Sequence, residues 1–277
     1  MGIGVNFVKK RLILFENTAF LLVYMLKYTR VENQATLKRA ENQAAHKHAE
    51  NKRLDEGVGM ELKADNGDGI DSWKEVTLIY SAALRQIETK MEILNDEFQH
   101  VHQYNPIEHI KARIKTPESI VKKLKRNGYE STIENMVKYI NDIAGIRIIC
   151  SFTSDIYRIA DMISEQRDIK VIAVKDYITF PKASGYKSYH MIVTVPVYLS
   201  DRTVDTKVEI QIRTVAMDFW ASLEHKIHYK FEGDAPEHIK SELVECAKMV
   251  SDLDARMLSL NEEILAISRE REKNEDI

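Results

Sequence analysis

The sequence predicts an α/β (α+β) fold in which helices pack on a β-sheet. From about residue 111 to 230, short apolar runs of strand length alternate with segments of helical spacing. The run 208–213 alternates strictly between apolar and polar residues. Longer segments on either side repeat apolar residues at intervals of three and four. We therefore expect one mixed domain over residues 71–235 and a C-terminal helical segment over residues 236–277.

Composition leaves room for one large domain with appendages. The chain has 277 residues, and its apolar fraction of 44% is enough to fill a core. The net charge is -3, so overall charge does not indicate a nucleic-acid-binding protein, and any basic site must be local. Cys150 and Cys246 have neither metal-site spacing nor the spacing of a disulfide framework, which fits a reducing cytoplasm.

Residues 1–70 are interpreted as an N-terminal extension, helical or poorly ordered, whose function is unknown. Polar residues interrupt the apolar run 12–26, which is also shorter than the roughly 20 residues of a membrane span. We therefore expect no membrane insertion. Residues 31–54 contain an imperfect Glu-Asn-Gln-Ala repeat, and the glycines between 57 and 69 mark the domain boundary.

The main domain begins with a long amphipathic helix. Ser72 to Glu75 form a plausible capping box, and apolar residues recur at helical spacing as far as Val101. The further predicted elements are strands over 143–152, 170–174, 191–197 and 208–212, and helices over 156–166 and 215–229.

The C-terminal segment begins at Pro236 and carries a heptad seam from Ile239 to Ile267. One interpretation is a contact between helices of two subunits, and the other is a helix packed on its own domain. We favour the first interpretation, but the seam does not determine the number of subunits.

A basic segment precedes a further predicted helix. Thr116 suits the N-cap and Pro117 suits the first helical position. Helix N-termini attract phosphates, although a solvated basic helix would have the same pattern. The basic and hydroxyl side chains that could bind a phosphate here are Arg113, Lys115, Ser119, Lys123 and Arg126.

Acidic side chains occur at two predicted strands. Asp142 stands at the mouth of one strand, where it could supply a carboxylate ligand to Mg2+ or simply satisfy local backbone donors. The strand 208–212 places Glu209, Gln211 and Arg213 on one face. Three polar groups on one face suggest a functional surface, although an exposed sheet face would look the same.

The segment 175–190 combines three lysines, a glycine beside a tyrosine, and a histidine. Glycine lets a backbone approach a ligand closely, lysines bind phosphates, and a tyrosine face can stack on a base. These features suggest a nucleotide pocket, whereas a basic surface hairpin is the alternative.

Read in order, these segments resemble the RelA/SpoT-type (p)ppGpp synthetases, the GTP pyrophosphokinases, and look closest to the stand-alone small alarmone synthetases. The resemblance covers roughly residues 72 to 265. Five elements occur in the family's order: Arg113-x-Lys115-x3-Ser119, Asp142-x2-Gly145-x-Arg147, Lys182-x2-Gly185-Tyr186-x3-His190, Glu209-x-Gln211-x-Arg213-Thr214 and Trp220-Ala221-x2-Glu224-His225. The resemblance implies a nucleotidyltransferase-like mixed β-sheet flanked by helices. It also implies synthesis without hydrolysis, because no room precedes residue 72 for the family's long hydrolase domain.

The family's reaction moves the β,γ-diphosphate of ATP to the 3′-hydroxyl of GTP or GDP and releases AMP, in the stringent response. The resemblance implies that Asp142 and Glu209 are the catalytic residues and bind Mg2+, and that Glu209 helps to deprotonate the attacking hydroxyl. The implied ATP-binding residues are Arg113, Lys115, Ser119, Lys123, Arg126 and Arg147, with the two arginines stacking on adenine and the others holding phosphates.

The implied residues for the acceptor, GTP or GDP, are Lys175, Lys182, Tyr186, His190, Gln211 and Asp218. Tyr186 is expected to stack on guanine, while the lysines and His190 hold the acceptor's phosphates. Asp218 could accept hydrogen bonds from guanine N1 and its 2-amino group, which would reject adenine. Ser184 replaces an Asn that is frequent in the long relatives, so no amide contact is carried over to this position.

The resemblance further implies a cytoplasmic homo-oligomer, a tetramer in many small relatives, with no DNA or membrane partner and no feature that supports RNA binding. Two other functions are alternatives. A catalytically silent nucleotide- or RNA-binding module on the same fold would need neither Asp142 nor Glu209. A scaffold protein acting through its C-terminal helix would leave the clustered basic and aromatic residues unexplained.

Overall fold

The computed structural model describes residues 72–102, 104–230 and 235–275, which lie within the compact unit Leu62–Ile277. The apolar run and the Glu-Asn-Gln-Ala repeat of the N-terminal extension lie outside the described residues, as do the glycines of the expected boundary. Between residues 72 and 275, the described helices include none that is long and apolar enough to span a bilayer.

The domain is built on a mixed β-sheet, as predicted, and this sheet has five strands. Its strands are β1 (Ile107–Ile114), β2 (Ala144–Cys150), β3 (Lys170–Asp176), β4 (Tyr189–Tyr198) and β5 (Thr203–Thr214). They lie in the order β1-β2-β5-β4-β3. The central pair β2 and β5 is parallel, and the other neighbours are antiparallel.

Six helices accompany the sheet in the described part of the chain. They are α1 (Trp73–His100), α2 (Pro117–Arg126), α3 (Ile133–Tyr139), α4 (Thr153–Ser164), α5 (Val215–Lys230) and α6 (Glu237–Glu275). The predicted caps are confirmed: the Ser72 hydroxyl accepts from the backbone N–H of Glu75, and Thr116 caps α2 in front of Pro117. The long C-terminal helix is also confirmed.

Two elements were not predicted from the pattern. Strand β1 alternates polar and apolar residues from His109 to Ile114, and the register irregularity between Ile107 and His109 breaks the alternation only at its start. Helix α3 has seven residues, too few to show a helical period. Strand β5 starts at Thr203, earlier than predicted, because its polar first half pairs with the end of β4 through Tyr198.

Alternation divides the sheet into an apolar face and a polar face. Buried residues Ile146, Ile148, Ile210 and Ile212 lie in one continuous core with the apolar sides of α1 and α4. Their neighbours along β2 and β5 point to the other face, which carries Arg147, Glu209, Gln211 and Arg213. The polar face therefore gathers side chains from both central strands.

The two halves of the C-terminal helix α6 differ in how they contact the rest of the domain. In its first half, the Leu243 carbonyl accepts a hydrogen bond from the Trp220 indole, and Asp254 accepts one of 2.6 Å from Thr214. In its second half, Leu260 and Ile264 are 54% and 62% exposed. Packing on the chain's own domain therefore accounts for only the first part of the predicted seam.

Candidate active site

The two candidate catalytic carboxylates converge at one end of the paired strands β2 and β5. Glu209 lies opposite Gly145 in the parallel register, and Asp142 lies two residues before the start of β2. Both side chains are mostly buried, and the charge of Asp142 acts on the ionisation of Glu209. The residues expected to share one metal ion thus lie at one place in the fold.

Asp142 is held by two ammonium groups. Lys115 donates a hydrogen bond of 2.8 Å to Oδ2, and Lys123 donates one of 2.8 Å to Oδ1. Burial opposes ionisation of this carboxyl, but the bonds to the two lysines outweigh it and hold the pKa of Asp142 below its ordinary value. Asp142 is therefore a carboxylate at neutral pH.

Glu209 is also kept ionised. Gln211 donates a hydrogen bond of 2.8 Å to Oε2, and His190 Nδ1 lies 3.4 Å from Oε1. Burial and the nearby charge of Asp142 oppose ionisation, yet the contacts with His190 and Gln211 lower the pKa of Glu209. An ionised glutamate can bind a cation or accept a proton.

Two arginines flank a gap in the polar face. Arg113 on β1 lies opposite Gly145 on β2, and Arg147 follows two residues later on the same face. Since Gly145 has no side chain, none fills the space between Arg113 and Glu209 in this row of the sheet. The Nε of Arg147 is buried and has no hydrogen-bond partner within the described ranges.

Helix α2 supplies the basic wall beside this gap. Ser119 is exposed near its N-terminus, where its hydroxyl accepts from the Thr116 hydroxyl at 3.0 Å. Arg126 is exposed in the last turn, on the helix face that also carries Lys123. Because Lys115 and Lys123 contact Asp142, this basic segment belongs to the polar cluster rather than to a solvated surface alone.

The segment between β3 and β4 forms an aromatic and basic wall on the other side. Lys182 Nζ lies 4.5 Å from the ring centroid of Tyr186 and 4.7 Å from that of Tyr177. Lys175 is exposed on β3 opposite His190, which places both on the polar face. Tyr177 was not among the predicted site residues, and its position after a strand end gave no signal for it.

Tyr186 and Arg213 lie in a closed cycle of polar contacts with His190, Glu209 and Gln211. Arg213 donates to the Tyr186 hydroxyl at 2.5 Å and to the Gln211 carbonyl oxygen at 3.1 Å. The Tyr186 hydroxyl also contacts His190 Nε2 at 2.9 Å. Arg213 had no predicted role in the site, although it is the third polar residue of an alternating strand and part of the element Glu209-x-Gln211-x-Arg213-Thr214.

Asp218 bridges the two halves of the site. Its Oδ1 accepts hydrogen bonds from Arg147 at 3.0 Å and from Arg213 at 3.1 Å. The structure thus places Asp218 between the arginine on β2 and the arginine beside Tyr186. Its expected role in reading guanine stays a prediction.

The geometry agrees with what similarity to known proteins shows. Residues 112–234 match the model for a region found in RelA/SpoT proteins. GTP pyrophosphokinase YwaC of Bacillus subtilis (strain 168) is 48% identical over 195 residues, covering 70% of this chain and 93% of that protein. GTP pyrophosphokinase YjbM of the same strain is 33% identical over 207 residues, covering 73% of this chain and 97% of that protein.

Solved structures give the same result. The small alarmone synthetase 2 from Bacillus subtilis has a TM-score of 0.63 at 47% identity, covering 69% of this chain and 98% of that one. The small alarmone synthetase 1 from Bacillus subtilis, bound to its product pppGpp, has a TM-score of 0.65 at 33% identity, covering 69% and 97%. The predicted resemblance is therefore confirmed, and this chain belongs to the RelA/SpoT-type GTP pyrophosphokinases, among the small alarmone synthetases.

Proposed function

We propose that this protein transfers the β,γ-diphosphate of ATP to the 3′-hydroxyl of GTP or GDP, forming (p)ppGpp and AMP. The observation that carries the proposal is the convergence of Asp142 and Glu209 at one end of β2 and β5. A basic wall stands on one side of this pair and the Tyr186 wall on the other. Diphosphate transfer needs this combination of positioning and charge neutralisation more than it needs covalent chemistry.

On the donor side, Arg113 and Arg147 would hold adenine between guanidinium planes, which stack well on aromatic rings. The ATP phosphates would lie against α2, whose N-terminus favours negative charge. The side chains proposed to bind them are Lys115, Ser119, Lys123 and Arg126. Lys115 and Lys123 form ion pairs with Asp142 in this structure. Their ammonium groups would therefore lie close to phosphates bound beside that carboxylate and would neutralise part of the added charge.

On the acceptor side, Tyr186 would stack on guanine, and Lys175 and Lys182 would bind the acceptor's phosphates. His190 and Gln211 face Glu209 directly, so in this structure they support that carboxylate as well as the acceptor wall. Glu209 would accept the proton of the attacking 3′-hydroxyl, since its lowered pKa keeps it unprotonated at neutral pH.

Mg2+ is the proposed cofactor, held by Asp142 and Glu209. Two ionised carboxylates suit this ion, which usually takes one or two carboxylates and completes its shell with water and substrate phosphates. Among the described residues, no group of three or more His, Cys, Asp or Glu side chains could hold a metal without such help. When bound, Mg2+ would neutralise charge on the transferred phosphates.

The proposal is tested by incubating the protein with Mg2+, ATP and GDP or GTP, and separating the products. AMP and a guanosine nucleotide with a 3′-diphosphate should appear in equal amounts. Glu209→Gln should lower turnover by about 100-fold or more, the scale of general-base catalysis, while nucleotide binding is largely kept. Glu134→Gln, on the exposed side of α3, is the matched control and should leave turnover unchanged.

Nucleotide binding by the wild-type protein without any product would instead identify a catalytically silent nucleotide-binding module. An RNA-binding module would bind RNA and show no product. A Glu209→Gln variant with full activity would reject the metal and base assignments while leaving the fold and family unchanged.

We also propose that the protein is a homo-oligomer joined through the second half of α6. Leu260, Ile264 and Ile267 are exposed along one stripe of this helix, an arrangement that buries apolar area when a second helix covers it. Ile264→Glu should reduce the mass measured by light scattering, whereas Glu263→Gln should not. An unchanged mass for Ile264→Glu would place the subunit contact elsewhere, and a wild-type monomer would reject the proposal.

The cytoplasm is the proposed location. Cys150 and Cys246 are free thiols, as expected in a reducing compartment. Burial raises the pKa of Cys150 well above its ordinary value, so this thiol stays unreactive.

A further inference from the structure

We propose that Arg213 is a positioning residue that fixes the acceptor-stacking Tyr186 and the carboxylate of Glu209 relative to each other. This inference rests on the proposed function and extends it. Arg213 is 4% exposed, so it lies beneath the polar face. Its guanidinium has four hydrogen-bond acceptors, and these belong to Ser188, Asp218, Tyr186 and Gln211. A buried arginine with so many fixed partners orients them more than it binds solvent or ligand.

The first branch from Arg213 runs through Tyr186 to His190. The Tyr186 hydroxyl accepts the 2.5 Å hydrogen bond from Arg213, so its own proton is free to point to His190 Nε2 at 2.9 Å. The other ring nitrogen, Nδ1, lies 3.4 Å from Glu209 Oε1. Arg213 therefore holds the Tyr186 hydroxyl against the His190 ring, and that ring in turn contacts Glu209.

The second branch runs through Gln211. Arg213 donates to Gln211 Oε1 at 3.1 Å, which turns the amide nitrogen toward Glu209 Oε2 at 2.8 Å. The flipped amide would place two acceptors against each other at Glu209 and two donors against each other at Arg213. The two branches meet at opposite oxygens of one carboxylate, so both its position and its rotation are determined.

The same guanidinium reaches toward the donor half of the site. Arg213 and Arg147 donate to the same oxygen of Asp218, at 3.1 Å and 3.0 Å. Replacing the guanidinium of Arg213 leaves the hydrogen bond from Arg147 to Asp218 in place. A defect at Arg213 should therefore fall on the acceptor and on Glu209, and should spare the binding of ATP.

Arg213→Lys is the discriminating variant, because it keeps the buried positive charge but cannot reach four acceptors from one ammonium. The KM for GDP or GTP should rise about tenfold and kcat should fall about tenfold, the scale of one charge-assisted hydrogen bond. The KM for ATP should stay within about twofold, since the Arg147 contact persists. Ser188→Ala is the control: it removes the 3.3 Å acceptor of Nε and the hydroxyl's own hydrogen bond to the Ile212 carbonyl, but it leaves the contacts of Arg213 with Tyr186 and Gln211, so both KM values should stay near wild type.

A double-mutant cycle with Tyr186→Phe tests the coupling itself. This change keeps the stacking ring and removes the hydroxyl that links Arg213 to His190. Tyr186→Phe should raise the acceptor KM. The double variant Tyr186→Phe with Arg213→Lys should raise this KM by much less than the product of the factors for the two single variants. Multiplicative effects would show that the two residues act independently and would overturn the inference.

Two further results would overturn it. The first is an Arg213→Lys variant whose acceptor KM and kcat stay within about twofold of wild type, which is the limit for independent sites. The second is a parallel rise of both KM values with a lower melting temperature, which would show that Arg213 only stabilises the fold. In each case an active wild-type protein leaves the proposed function intact, whereas a wild-type protein without diphosphotransferase activity refutes the proposed function itself.

Discussion

Lys123 in α2 donates a hydrogen bond of 2.8 Å to Asp142, which lies two residues before the start of β2. This contact joins the basic helix to the expected metal ligand. The neighbouring Lys125 is exposed. One helix thus carries one lysine that belongs to the site and another that is directed to solvent.

Lys123→Met should raise the KM for ATP about tenfold, because it removes one of the two charges that neutralise Asp142 and the proposed phosphate site. Steady-state kinetics at saturating acceptor measure this effect. Lys125→Met changes the net charge equally and should leave the KM for ATP near wild type. Equal effects of the two variants would mean that only the overall charge of α2 matters.

Tyr186→Ala should weaken acceptor binding by about 1–3 kcal/mol, the usual contribution of one aromatic ring stacked on a base. Isothermal titration with GDP measures the loss, and titration with an ATP analogue should show little change. Tyr198→Ala removes a ring that is 75% exposed and serves as the control. Unchanged GDP affinity in Tyr186→Ala would reject the stacking role.

Gly185 and Gly128 offer a matched pair for separating backbone strain from steric contact. Both have positive φ, +85° and +80°, so alanine at either position should cost about 1 kcal/mol. An added Cβ at Gly185 would meet the Ala247 Cβ at 2.5 Å, whereas at Gly128 nothing lies within 4 Å. Gly185→Ala should therefore lower the free energy of unfolding more than Gly128→Ala in urea titrations.

Gly185→Ala should also raise the acceptor KM, because residue 185 directly precedes the stacking tyrosine. Gly128→Ala should leave that KM unchanged. Equal losses of unfolding free energy in the two variants would show that α6 shifts at Ala247 to accommodate the added methyl group and does not hold the segment around Gly185 in place.

The lowered pKa of Asp142 predicts a specific dependence of stability on acid. Lysine contacts place its folded-state pKa below the ordinary value near 3.9, so its stabilisation is present above that pH. That stabilisation is lost as the pH falls through the lower folded-state pKa. Between about pH 5 and pH 2, the wild-type free energy of unfolding should therefore fall more steeply than that of Asp142→Asn.

Urea unfolding over this range measures both slopes. Asp161→Asn, at an exposed position of α4, is the control and should keep the wild-type slope. A wild-type slope in Asp142→Asn would mean that its ion pairs with the two lysines do not form in solution.

Much of the site could be predicted from the sequence, because the backbone conformation around its residues follows from short-range sequence patterns. The cap at Thr116, the alternation through Glu209 and the glycine before Tyr186 each follow from backbone conformation within a few residues. Strand β1 was missed although residues 109–114 alternate, because its three basic side chains equally suit an exposed basic segment in front of α2. Helix α3 was missed because seven residues do not show a period.

The sequence by itself determined most of the elements, the polar face of β5 and the family to which the chain belongs, because these depend on side-chain chemistry at short and regular spacing. Tertiary structure decided which polar groups touch. The parallel pairing of β2 with β5 brings Gly145 opposite Glu209, and the return of β4 brings His190 opposite Gln211. Arg213 reaches Tyr186 and Ser188 only because of these long-range pairings, whereas Gln211 and Asp218 lie close to it in sequence.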